Sequence, residues 1–107
     1  MYIAMNHFHI AAGRADEFER IWRDRDSYLH DVPGFRQFNL VRGKDSDDGT
    51  HHYASHVIWD SRETFVDWTH SEAFKKAHGE KRTPEGLMLE HPRFHGWQAV
   101  DLSRSEA

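Results

Sequence analysis

The period of the apolar residues changes along this chain in a fixed order, and that order constrains the fold more than any other feature. From Tyr2 to Ile10 the period is two: Tyr2, Ala4, Asn6, Phe8 and Ile10 share one face, and Ile3, Met5, His7 and His9 share the other. Gly13 interrupts the pattern. Phe18, Ile21, Trp22, Arg25 and Leu29 then follow the spacing of one helical face, which predicts a helix running to about His30, stopped by Val32-Pro33-Gly34. Phe35 to Arg42 alternates again, with Phe38 and Leu40 against Asn39 and Val41. The charged stretch Gly43 to Thr50 has turn chemistry, and His52 to Trp59 reads as a third strand. Ser61 is a good N-cap for a second helix through Phe65 and Trp68. Ser71 restarts that helix after a break and carries it to His78. Thr83-Pro84-Glu85 is a further start signal, predicting a short helical turn over Pro84 to Leu89. Phe94 to Leu102 closes the chain as a fourth strand, and the last five residues read as frayed.

The order β-α-β-β-α-β predicts an α+β fold of the ferredoxin-like, split-βαβ type: an antiparallel sheet with its helices on one face. The 107 residues read as a single domain, 1–107. A chain of that size buries only about 60–70% of its unfolded surface, so a closed cavity for a large ligand would strain its core. Two copies packed through their open sheet faces would relieve that strain, giving a homodimeric α+β barrel.

Composition removes several classes of function. The net charge is −4 and the basic residues are scattered among acidic ones, which leaves no stripe for nucleic acid. With no cysteine there is no thiolate catalysis, disulfide or iron–sulfur cluster. No apolar run approaches the ~20 residues that span a bilayer. The N-terminus reads as a strand rather than a secretion signal, so the expectation is a cytoplasmic protein without membrane contact. Ten histidines and four tryptophans remain to be explained.

Position separates them. His78 ends a helical segment beside Gly79; it is either an exposed helix-end imidazole or one free to project a ring nitrogen toward a metal or cofactor. Trp68, ten residues earlier, is either a core residue of an amphipathic helix or part of a pocket wall. Asn6 interrupts an apolar row. A buried amide without a partner costs about 1–3 kcal/mol, so it is either satisfied by neighbours or held for a ligand. Arg25, on an apolar helical face, either snorkels to water or meets a buried anion. Trp59 and Trp97 read as packing residues, His51-His52 as loop surface, and Asp45-Ser-Asp-Asp48 as a solvated turn that lacks the terminal glutamate of a calcium loop.

Taken together, Asn6 followed by Phe8, then Phe65-Val-Asp-Trp68, Ser71-Glu-Ala-Phe74 and Lys75-Lys-Ala-His78 resemble the haem-degrading monooxygenases of the IsdG type, within the antibiotic biosynthesis monooxygenase superfamily. Pro33-Gly34-Phe35 and Trp59-x-Ser61 are shared widely in that superfamily and speak to fold only. The resemblance extends over roughly residues 2 to 102. It implies that His78 is the proximal iron ligand and that Asn6 is a hydrogen-bond donor on the opposite side of the iron. Trp68 would press the macrocycle out of plane, Trp22 would flank the haem, and Arg25 would hold a propionate. Haem would then be cofactor and substrate at once, with an external electron donor, an unidentified reductase and a second copy of the chain as partners. His7, His9, His51, His52, His56, His70, His91 and His95 have no place in the pattern. Residues 79–93, which vary among such proteins, are expected to overhang the haem edge.

Two other classes fit the same fold. One is a cofactor-independent monooxygenase acting on a polycyclic aromatic substrate, for which His78 and Asn6 would be incidental. The other is a non-catalytic haem-binding protein.

Overall fold

A computed structural model describes residues 1–25, 27–79 and 83–103. Its elements run β1 (Tyr2–Ile10), α1 (Ala15–Asp24), β2 (Phe35–Arg42), β3 (His51–Trp59), α2 (Arg62–Thr69), α3 (Glu72–Gly79) and β4 (Arg93–Gln98). The sheet is four-stranded in the order β2-β3-β1-β4 with antiparallel pairing throughout, which is the ferredoxin-like arrangement expected from the element order. Among the described residues no helix is long and apolar enough to cross a membrane.

Register sorts the side chains into two faces. Tyr2 opposes Trp59, Ala4 opposes Val57, Asn6 opposes Ser55 and Phe8 opposes Tyr53, so these residues share the face on which the helices lie. Ile3, Met5, His7 and His9 point the other way. The helix-covered face does not build one continuous core. One cluster gathers Phe8, Ile10, Ala15, Phe18, Tyr53 and Leu87; a second gathers Tyr2, Ala4, Leu29 and Trp59. Asn6 and Ser55 occupy the rank between them. The interruption seen in the apolar row of β1 therefore marks a physical division of the core.

The helices end where local chemistry changes. α1 stops at Asp24, with Arg25 already extended (φ −93°, ψ 136°), rather than continuing to His30. Asp24-Arg25-Asp26-Ser27 is rich in side chains that compete for backbone hydrogen bonds, and Tyr28 adopts φ +55°. Unwinding here lets Leu29 enter the second core cluster, which a straight helix over the first cluster would not allow. The turn that follows needs Gly34, at φ +84°, where a Cβ would collide with Thr64. α2 opens with a reciprocal capping box: the Thr64 amide donates to Ser61 Oγ (3.2 Å) and the Ser61 amide to Thr64 Oγ1 (3.3 Å). The expected break at Ser71 is present, and its hydroxyl accepts from the Phe74 amide at 3.2 Å to start α3.

Three expectations need correction. Pro84 to Leu89 is not helical: it is a single turn closed by Leu87 N–H to the Pro84 carbonyl at 3.3 Å, with Gly86 at φ +77°. A glycine in the left-handed region at the third turn position favours a type II turn over a helix start. β4 ends at Gln98, although the Ala99 amide still donates to the Met1 carbonyl. His51 is not loop surface; it begins β3 and is buried, its Nε2 accepting from the Gly13 amide (3.2 Å) and its Nδ1 meeting Asp45 at 2.9 Å. Of the tail expected to fray, residues 104–107 lie outside the described residues.

Candidate functional site

A cavity of about 460 Å³ opens over the second core cluster and the Asn6–Ser55 rank, with Trp22 its contribution from the edge of the first cluster; the size is typical of small-molecule sites. Its floor is the middle of the sheet, with Ala4, Asn6, Ser55 and Val57. α2 and α3 wall one side with Phe65, Trp68, Phe74, Ala77 and His78, and Trp22, Arg25, Ser27 and Leu29 close the other. All of the residues singled out in the sequence, Asn6, Trp22, Arg25, Trp68 and His78, line this one space. They come from separate elements, and only the packing of the helices on the sheet brings them together.

His78 is exposed on the last turn of α3, its ring stacked on Phe74 one turn earlier (3.9 Å between centroids, 26° between planes). Its Nδ1 lies 2.9 Å from the Phe74 carbonyl oxygen. A carbonyl can only accept, so Nδ1 carries the proton, and the neutral ring keeps the lone pair on Nε2. Metal-binding histidines are commonly oriented by such a bond through the other ring nitrogen.

Trp68 belongs to the second core cluster and to the cavity wall at once. Its ring packs against Trp59 (5.4 Å), edge-on to Phe74 (4.8 Å) and 6.2 Å from His78. The two readings open in the sequence are thus compatible. Its buried Nε1–H has no hydrogen-bond partner among the described residues, and neither has that of Trp59.

Arg25 is the charged group of the cavity. Its guanidinium carbon sits 4.4 Å above the Trp22 ring centroid, and its buried Nε is unpartnered. No ion pair to it is formed among the described residues, and burial pushes its pKa down. A half-buried cation with no counter-charge among the described residues can receive an anionic group. Asn6 is half-buried on the floor, and its side-chain amide makes no hydrogen bond among the described residues.

Two findings were not anticipated. Ser55 faces Asn6 on the floor and is 6% exposed, a hydroxyl in the apolar row of β3. The signal was present in the sequence: Tyr53, Ser55, Val57 and Trp59 alternate as Phe8, Asn6, Ala4 and Tyr2 do, with the polar residue in the same rank. Beyond Gly79, which ends α3 beside His78, the described residues 83–93, expected over the cavity, do not line it. Leu87 is buried in the first cluster, Leu89 N–H bonds to the His9 carbonyl, and Met88 bridges to Ile10, all at the far end of β1. Residues 80–82 lie outside the described residues.

This architecture recurs among solved structures. A Bacillus cereus structure bearing an antibiotic biosynthesis monooxygenase name aligns at TM-score 0.72 and 14% identity, covering 99% of this chain and 97% of that one. The haem degrader MhuD of Mycobacterium tuberculosis, solved with two haems in its active site, aligns at TM-score 0.73 and 22% identity, covering 96% of this chain and 100% of that one. A mutant of SnoaB, a cofactor-independent oxygenase from Streptomyces nogalater, aligns at TM-score 0.65 and 19% identity over 96% of this chain and 97% of that one. At such identities the likenesses speak to fold alone. The family model for antibiotic biosynthesis monooxygenases matches residues 1–80, most of the chain, and the protein therefore belongs to the antibiotic biosynthesis monooxygenase family.

Proposed function

We propose that this protein is a haem-degrading monooxygenase, with the cavity over the second core cluster as its haem site. The observation that carries the reading is the His78 ring, whose Nδ1–H is tied to the Phe74 carbonyl so that Nε2 is left as a donor atom at the mouth of an aromatic cavity. The unpartnered Arg25 Nε and the unpartnered Asn6 amide fit the same ligand, which brings carboxylates at one edge and needs a hydrogen-bond donor near its metal.

In this reading His78 would hold the iron through Nε2, and Arg25 would receive a propionate that replaces its lost hydration. Trp22 and Trp68 bear on the macrocycle, and the flat aromatic walls exclude water from it. Asn6 would present its amide to the bound ligand; an amide donates a hydrogen bond without being acidic enough to hand over its proton readily. When bound, haem supplies the oxygen chemistry and is also the substrate, with electrons from an external donor such as a reductase.

The reading extends to a homodimer. The open sheet face carries Ile3, Met5, Ala54, Ile58 and Trp97 among imidazoles, and no strand contains an aspartate or glutamate although the chain has 18 of them. Two such faces can meet without carboxylate repulsion.

The test is to add hemin to the purified protein, follow the Soret band, and then supply ascorbate with catalase present. The expected outcome is a shifted Soret band that decays with release of chelatable iron, and no decay in His78→Ala. A bound but stable Soret band with every reductant tried would leave a haem-binding protein without turnover. No binding would overturn the reading and favour the cofactor-independent alternative, which the apolar, aromatic cavity would also suit.

A further inference from the structure

Among the described residues, Thr50, His51 and Ser55 are the buried polar ones. Two of them are accounted for. The Thr50 hydroxyl donates to Asp48 at 2.6 Å and sits 2.8 Å from His9 Nε2, and both ring nitrogens of His51 are engaged. Ser55 differs: its hydroxyl makes no hydrogen bond among the described residues, though 6% of the residue is exposed. The hydroxyl opens on the cavity rather than being sealed in the core, so a partner can reach it.

Register supplies one. Ser55 is paired with Asn6 on one side and Leu40 on the other, while Asn6 is flanked by Phe94. Along β3 the residues that share its face are Tyr53 and Val57, and along β1 those beside Asn6 are Ala4 and Phe8. The serine and the asparagine are thus the polar pair in an apolar floor. Directly opposed antiparallel residues hold their Cβ atoms about 4.5–5.5 Å apart, within reach of one bridging water. Both line the cavity, and neither amide nor hydroxyl is used to hold the fold together.

We propose that Ser55 is a positioning residue for Asn6. Its hydroxyl donates through one bridging water to Asn6 Oδ1, and so turns the Asn6 NH₂ group toward the ligand. An amide presents a donor on one side and an acceptor on the other, so a half-turn about its last torsion replaces attraction to a ligand oxygen by repulsion. Fixing the carbonyl end fixes the donor end. Without Ser55 the two orientations approach equal population, and the productive fraction falls on the order of two-fold. The pairing is a property of the empty protein as well; its consequence for a ligand rests on the haem reading above.

Two measurements separate those levels. In ligand-free protein, the Asn6 side-chain NH₂ resonances, assigned by their loss in Asn6→Ala, are expected to shift in Ser55→Ala and to stay near their original positions in Ser55→Thr. Thermal melting of Ser55→Ala at or above the original temperature would show that the shift is not a folding defect. In protein loaded with ferrous haem and carbon monoxide, Asn6→Ala is expected to raise the CO stretching frequency by removing a donor. Ser55→Ala should raise it by less, and Ser55→Thr should restore it. Unmoved Asn6 resonances in Ser55→Ala would overturn the pairing whether or not haem binds. A CO frequency that responds to Asn6→Ala but not to Ser55→Ala would overturn its positioning role. Failure of the unmodified protein to bind hemin would count against the haem reading, while the ligand-free measurement would still decide the pairing.

Discussion

His78 and Arg25 carry the sharpest expectations for single residues. His78 is exposed and its hydrogen bond is to its own helix, so His78→Ala should leave the ligand-free stability within about 0.5 kcal/mol, as at most surface sites, while removing the nitrogen proposed to bind haem iron. Comparison of urea denaturation with hemin titration of the same variant checks both halves. Arg25 gains no ion pair from the described fold and loses hydration, so its value should appear only with an anionic ligand. A charge-assisted hydrogen bond contributes about 1.5–3 kcal/mol, so hemin should bind roughly ten-fold or more tightly than its dimethyl ester. Arg25→Leu should erase most of that preference without destabilising the empty protein. Equal affinities for hemin and its ester in the original chain would remove the propionate role. Residue identity could be read from the sequence here, because an amide or a guanidinium in an apolar row is conspicuous. Ser55 was less so, since serine is common in strands and its meaning depends on facing Asn6.

At the level of elements, the hairpin loop between β2 and β3 is held by carboxylates. Asp45 is held below the ordinary carboxylate range, first by its hydrogen bond from His51 and then by Arg42, and Asp48 is lowered by the Thr50 hydroxyl and amide. A depressed pKa favours the folded state fully above the unfolded value, near 3.8 for aspartate, and that contribution disappears as pH falls through the lower folded value. Melting temperature should therefore drop below about pH 4, and Asp45→Asn should flatten the drop. An unchanged slope in that variant would mean that the ion pairs are too well solvated to matter. For α2, Ser61→Ala removes half of a capping box and should cost about 1 kcal/mol in urea denaturation. Element type and order were legible throughout the described residues, apart from the turn at 84–87. The ends were not. α1 stops at Asp24 and the extended Arg25 follows it, with Leu29 in the second cluster, and β4 stops once it passes the start of β1.

The whole molecule is flat and extended, 54 × 35 × 20 Å with a radius of gyration of 15.9 Å. A compact chain of this length would have a radius near 13 Å. Trp97 on the outer face of β4 is 56% exposed, where the sequence alone read it as a packing residue. Within one copy it is not; against a second copy's open face it would be. A stable dimer needs about 800 Å² from each partner, which a four-stranded sheet face can supply. Trp97→Glu should therefore shift sedimentation from dimer to monomer while leaving far-UV circular dichroism unchanged. A monomeric original chain would remove the homodimer from the proposal.

Periodicity is a local property, so the sequence by itself determined the element order, the ferredoxin-like class and the polar interruption at Asn6. Hydrogen bonds and packing between residues far apart in the chain decided the rest. Register set Ser55 opposite Asn6, and the seating of Leu29 and Leu87 divided the core into two clusters. The cavity opens over the second cluster at the Asn6–Ser55 rank, and no stretch of sequence read alone contains it.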